Sequence, residues 1–310
     1  MIQNGKAAVF ILLGQSNAVG HALPMEEHDI INTPMKNVFG LNREYNQSFH
    51  NEALTWSGYT SFGMNLAEEQ DNTYSIANCL AMDWQKHIDN GNEHGLPDLY
   101  IIQIAIGAQG VTEKYMWYPD REEQLIPGKL GKVKISLFPF SKHIFSLVDD
   151  SFKAMNKDYE IIGLHWRGGE SDLSLDKEYL EANLFGIYSH MIDDYNELLR
   201  FPPIVLHKIV CSDRLKGIDS TGMQLNNMEY TNSLFDNLAK QYANVRVFDQ
   251  RDLPQYIHGT RGNGLFKDDL IHFKAEVNKE ISSCILSKYI ICSEKEKKLC
   301  QNQDLSAAIP

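Results

Sequence analysis

Two short patterns in this chain bring together residue types that can do nucleophilic catalysis: Gly14-Gln15-Ser16-Asn17 near the start and Asp269-Leu270-Ile271-His272 near the end. A serine hydroxyl is a weak nucleophile until a neighbouring base takes its proton, and imidazole suits that task near neutral pH. An Asp three residues before a His, on a turn entering a helix, can lie against one edge of the ring. It then fixes the tautomer and leaves the other nitrogen for the nucleophile. Each pattern also has a plainer reading. Ser16 alone could cap a helix, and an isolated Asp-x-x-His reads more readily as an N-cap, with Asp268 or Asp269 satisfying backbone donors and His272 solvated. Chemistry requires the two ends of the chain to meet.

The elements around these patterns predict that they do. Residues 7–13 form an unbroken apolar run that stops at Gly14. A run without alternation suits a parallel strand covered on both faces, and ligands in such sheets sit beyond the carboxyl ends of the strands. The rival reading is a secretory signal with Lys6 ahead of a short apolar core. One lysine and seven apolar residues make a weak signal, and the run is far short of the about 20 residues that cross a bilayer. Further strands are predicted over residues 99–106, 160–166, 204–211 and 245–248. Helices are predicted over 73–90, 141–157 (capped by Ser141), 176–199 (ended by Pro202 and Pro203), 226–242 and 274–290. This alternation implies an α/β fold with a parallel sheet of about five strands and helices on both faces.

Two strands end in turns that could serve a site: Gly107-Ala108-Gln109-Gly110, where missing Cβ atoms let a ligand approach the backbone, and Arg167-Gly168-Gly169-Glu170-Ser171-Asp172. Residues 20–71 and 110–139 lack periodicity and read as long connections walling a pocket. Trp56, Tyr59 and Phe62 in the first could form a small core or a surface for stacking on sugar, and the second holds Tyr115, Trp117 and Tyr118. Glu170 and Asp172 could do acid–base work, but paired carboxylates beside such a site more often hold loops, and Asn17 reads as loop-fixing too.

The 310 residues, 43% of them hydrophobic, are enough for one large domain, and no linker or repeat divides them. A formal net charge of −12 argues against nucleic acid as a partner. Five cysteines without a paired spacing suggest neither a disulfide framework nor a metal site, and with no transmembrane segment the expectation is a cytoplasmic protein, or one released without a signal peptide. Residues 1–292 read as the domain and 293–310 as a polar tail.

Taken in chain order, Gly14-Gln-Ser-Asn-Ala-x-Gly20, Gly107-Ala-Gln, Trp166-Arg-Gly-Gly-Glu-Ser-Asp172 and Asp269-x-x-His272 resemble the SGNH hydrolases, most nearly their sialate O-acetylesterase-like and acetylxylan-esterase-like carbohydrate esterases. The resemblance implies a three-layer α/β/α flavodoxin-like domain that removes O-acetyl groups from a carbohydrate without metal or organic cofactor. It casts Ser16 as nucleophile, His272 as base and Asp269 as the residue that orients it, with an oxyanion hole from the N–H groups of Ser16 and the Gly107-Ala108 turn. The chain departs from the relatives at Gly168, where they carry a glutamine whose amide completes that hole, and an unreplaced donor of this kind is worth about 100-fold in rate. Arg167 or Gln109 are candidates to replace it. Ala108, where relatives carry glycine, costs little if its φ is negative. Gln15, Asn17, Trp56, Trp117, Arg167 and Glu170 complete the candidate substrate-facing set. The loss at Gly168 also keeps open a weakened, glycan-binding or structural module of a larger assembly.

Overall fold

Ala7–Gly14 forms β1, buried at every position. Its alternate side chains feed two cores: Val9, Ile11 and Leu13 into one, Ala8, Phe10 and Leu12 into the other. The computed structural model describes residues 5–21, 23–67, 71–121, 136–211, 225–253, 266–267, 269 and 271–290. The expected tail at 293–310, Asp268 and residues 122–135 of the expected second wall lie outside the described residues.

Seven strands form one sheet: β1, β2 (Val38–Leu41), β3 (Trp56–Gly58), β4 (Leu99–Ala105), β5 (Tyr159–Arg167), β6 (Ile204–His207) and β7 (Val245–Phe248), in the order β3-β2-β4-β1-β5-β6-β7. All neighbours run parallel except β2 and β3, which are antiparallel. The chain fills one side of β1 and then the other, so the sheet's topological switch lies at the carboxyl end of β1, where open α/β sheets take their ligands. In register, Gly14 stands level with Ala105 of β4 and Arg167 of β5. The loops that follow these three strands therefore leave the sheet side by side.

The helices are α1 (Ser16–Val19), α2 (Arg43–Asn46), α3 (Ile76–Asp89), α4 (Leu137–Ser146), α5 (Val148–Ala154), α6 (Lys177–Leu199), α7 (Leu225–Gln241) and α8 (Ala275–Ile290). Apolar residues of α3 and α8, among them Leu80, Trp84, Val277 and Ile281, cover one face of the sheet. Those of α4 to α7, among them Phe138, Phe152, Leu184 and Phe235, cover the other. Ser75 caps α3, its side chain accepting from the Asn78 N–H. No helix among the described residues is long and apolar enough to cross a membrane.

Three expectations are corrected. Residues 20–71 are not wholly irregular, because β2 and β3 lie within them. Four residues interrupted by Gly40 carry little strand signal of their own, and β2 exists because Val38 to Gly40 pair with β4. Among the described residues the sheet accordingly has seven strands rather than the expected five or so. The helix expected over 141–157 is two helices, and Ser141 lies inside the first, its Oγ donating to the Phe138 carbonyl and lying 2.8 Å from the Tyr195 hydroxyl.

Candidate active site

Gly14 opens the site. Its φ is +143°, and a Cβ there would fall 1.9 Å from the Arg167 carbonyl oxygen, so no other residue lets β1 and β5 end this close together. Gln15 turns the chain, its N–H donating to Arg167 O, and Ser16 starts the single turn α1. That turn ends at Gly20 in the left-handed conformation, and the N–H of the following His21 donates back to Ser16 O at 2.9 Å.

From the other end of the chain, Asp269 accepts from the N–H groups of Ile271 (3.0 Å) and His272 (2.8 Å) through Oδ1, while Oδ2 lies 2.9 Å from His272 Nδ1. Asp269 caps no helix, since α8 starts only at Ala275; one carboxylate closes the turn ahead of that helix and meets the imidazole. Burial acts to raise the Asp269 carboxyl, but the N–H groups of His272 and Ile271, together with the His272 ring, hold it below the usual carboxylate value. With Nδ1 engaged, Nε2 is the ring nitrogen left for a reactant.

Ser16 and His272 line one cavity of about 670 Å³, with Gln15, His21, Gly107, Ala108, Tyr115, Glu170, Ser171 and Ser174 around it. The two ends of the chain are tied by Asn17. Its side chain donates to Glu170 Oε1 at 2.8 Å and accepts from the Phe273 N–H at 3.3 Å, locking the residue after Ser16 to the residue after His272. Gln15 reaches across the same gap, Oε1 accepting from Ser171 N–H.

Ala108 has a φ of +57°. The small cost expected for a negative φ does not apply, since a left-handed alanine carries about 1–2 kcal/mol of strain. The turn is held from both sides: Gln109 Oε1 accepts from Met116 N–H, and Asp172, 1% exposed, accepts from Val111 N–H (3.0 Å), Thr112 N–H (3.2 Å) and Thr112 Oγ1 (2.9 Å). Burial pushes the Asp172 carboxyl up to about 6, against the pull of those donors.

Several residues expected at the pocket are elsewhere. Arg167 is buried, its Nη1 donating to Asn278 and its guanidinium lying 4.6 Å over the Phe273 ring, so it supports the histidine loop from behind rather than lining the cavity. Burial pulls it down to about 10, which leaves it charged at neutral pH. Gln109 is committed to Met116. Trp117 is buried, donating Nε1–H to Gly14 O at 3.1 Å and standing edge-on to Trp166. Trp56 packs at the sheet edge against Tyr100 and Phe152 and donates to Ser151. Tyr59 is buried in the α3 core and Phe62 is exposed, so this trio is no wall of the cavity. Asn17 is buried and lies behind the lining.

His21 was not singled out by sequence. Its ring centroid lies 5.1 Å from that of His272, and the signal for it was Gly20, whose left-handed turn returns the next residue over Ser16. Among the described residues no group of three His, Cys, Asp or Glu could hold a metal ion.

Sequence comparison matches the chain to no protein-family model and to no curated protein. Solved structures are similar. A protein of Arabidopsis thaliana is 16% identical over 91% of this chain and 98% of its own, with a TM-score of 0.53. NanS is 15% identical over 93% of this chain and 99% of its own, at 0.56. A carbohydrate esterase family 2 enzyme of Corynascus thermopiles (Myceliophthora fergusii) is 13% identical over 92% of this chain and 66% of its own, at 0.44, too distant a likeness to bear on function. What they share with this chain is the fold, a three-layer, flavodoxin-like arrangement of helices on both faces of a mostly parallel sheet.

Proposed function

We propose that the protein is a serine esterase that removes O-acetyl groups from a carbohydrate, with Ser16 as nucleophile, His272 as general base and then acid, and Asp269 as the residue that orients it. The observation that carries this reading is that Ser16 and an Asp269-bonded His272, 256 positions apart in the chain, line one cavity. A helix cap or a solvated histidine would have no reason to meet a serine there.

The Ser16 hydroxyl attacks the ester carbonyl carbon as its proton passes to His272 Nε2, and the resulting imidazolium is stabilised by Asp269. The tetrahedral oxyanion is met by the backbone N–H groups of Ser16 and the Gly107-Ala108 turn, each such donor being worth about 3–4 kcal/mol. Collapse expels the alcohol, which takes the proton from His272. Water then gives a proton to the same nitrogen, attacks the acyl-serine, and releases acetate and the restored hydroxyl. With glycine at 168 and Arg167 and Gln109 engaged elsewhere, these backbone donors carry the oxyanion. Polar side chains of Gln15, His21, Tyr115, Glu170, Ser171 and Ser174 stand around a mostly apolar cavity wall, a mixture that suits the polar groups and the apolar ring face of a sugar.

The test is acetate release from p-nitrophenyl acetate and from a panel of O-acetylated glycans, wild type beside Ser16→Ala. Release by the wild type and its loss in the variant are expected, with a preference for particular glycans in the panel. A folded wild type that releases no more acetate than the variant would overturn the esterase reading in favour of a glycan-binding module.

A further inference from the structure

The floor of the cavity is an unusual piece of backbone. Ala108 lies at φ +57°, a conformation that alanine keeps only where the surroundings over-determine it. A buried carboxylate beside it is placed to do so. Asp172, on the 3-10 turn Glu170–Ser174 after β5, spends both carboxylate oxygens on the far end of this turn: Oδ2 on Val111 N–H, Oδ1 on Thr112 N–H and on the Thr112 hydroxyl. The contact is close-fitting at Gly110 as well, where a Cβ would fall 2.3 Å from Oδ1. At the near end, β4 pairs with β1 up to Ala105, level with Gly14. Residues 106–110 thus run between two fixed points, the sheet on one side and Asp172 on the other.

From this juxtaposition we infer that Asp172 is a positioning residue for the esterase reaction: by fixing Val111 and Thr112 it holds the Gly107-Ala108 turn in the left-handed conformation that presents its backbone to the tetrahedral oxyanion. The inference rests on the esterase reading above. It gives the glutamate-serine-aspartate turn two separate tasks, Glu170 tying down Asn17 beside the nucleophile and Asp172 tying down the oxyanion turn. It also explains why the carboxylate form is needed. An asparagine of the same shape must face one of the two backbone N–H groups with its own NH₂, losing an acceptor and gaining a donor against a donor.

A purely structural aspartate would lower stability and the amount of active enzyme. A positioning residue lowers transition-state affinity as well, and a tetrahedral boronate on Ser16 reads that affinity directly. The experiment compares wild type, Asp172→Asn and Thr112→Val at pH 7.5 on p-nitrophenyl acetate, with phenylboronic acid as inhibitor and circular dichroism to verify folding. In Asp172→Asn, kcat is expected to fall at least tenfold with KM within twofold, and the phenylboronic acid Ki to rise by about the factor by which kcat/KM falls. Thr112→Val, which removes only the hydroxyl bond, is expected to move both quantities the same way by about threefold, and it decides the matter if Asp172→Asn does not fold. A lowered kcat with an unchanged Ki would mean fewer competent molecules and would overturn the role, as would folded variants equal to wild type. A wild type no faster than Ser16→Ala would instead overturn the esterase reading, and this role with it.

Discussion

Ala108 is where the residue scale can be tested most sharply. An alanine at φ +57° carries about 1–2 kcal/mol of strain that glycine would not, while glycine gives back roughly 0.5–1 kcal/mol through a freer unfolded chain. Ala108→Gly is therefore expected to stabilise the protein modestly, by about 0.5–1 kcal/mol in a urea titration, and a loss of stability would show that the Cβ makes a contact worth more than the strain. The serine and histidine that meet at the cavity were legible as candidates, because Gly-Gln-Ser-Asn and Asp-x-x-His are short patterns read from local spacing. Their supports were not. Asn17 bonds to residues 153 and 256 positions away, and Arg167 turned inward to Asn278 rather than outward to the cavity. Nothing in the local sequence of an arginine beside two glycines decides which way it faces.

At the scale of elements, glycine positions separate two kinds of constraint. In β1, Gly14 lets the Arg167 carbonyl approach to a distance no Cβ allows, whereas Gly186, inside α6, has nothing within 4 Å of where a Cβ would stand. The same substitution should then act with opposite signs: Gly14→Ala abolishing soluble expression or costing more than about 4 kcal/mol, Gly186→Ala adding about 1 kcal/mol through helix propensity. Thermal midpoints of the two variants check this, and a well-folded Gly14→Ala would contradict the tight ending of β1 against β5. Long, strongly patterned elements such as β1 and α6 could be read from the sequence alone, and so could the four-residue Val245–Phe248 strand, whose valines alternate just after a helix. Short ones whose pairing comes from distant partners, β2 and β3, could not, nor could the break between α4 and α5, where one helical pattern runs on while the backbone turns.

At the scale of the whole molecule, stability should depend on pH through a pair of histidines far from any surface. His165 on β5 and His207 on β6 are buried with Nδ1 and Nε2 2.9 Å apart, one donating and one accepting. Burial, then the Lys288 and Arg167 charges, hold His165 down at about 3; burial, then His165 itself and the same two cations, hold His207 well below its ordinary value. Unfolded imidazoles take protons near 6.5, so below that pH the unfolded chain gains protons the folded chain refuses, and stability falls by about 1.4 kcal/mol per pH unit for each ring. Asp172, raised to about 6, works the other way between about pH 6 and 4, leaving a net loss of about 1.4 kcal/mol per unit there. Urea midpoints should drop steadily from pH 6.5 to 4.5 and less steeply in His165→Gln; a flat profile would mean the pair is protonated in the folded state. The arrangement of the helices has a further consequence, for synthesis. On one face of the sheet, Phe10, Leu12, Leu80 and Trp84 are made early, yet α8, which covers them, is made after every strand. Until α8 emerges, a nascent chain therefore carries the seven described strands with an oily flank, the kind of surface chaperones hold, and it acquires His272 and that covering helix within a few residues of each other. Fragments cut short before residue 272 would be sticky, and they would lack His272, the base of the proposed reaction.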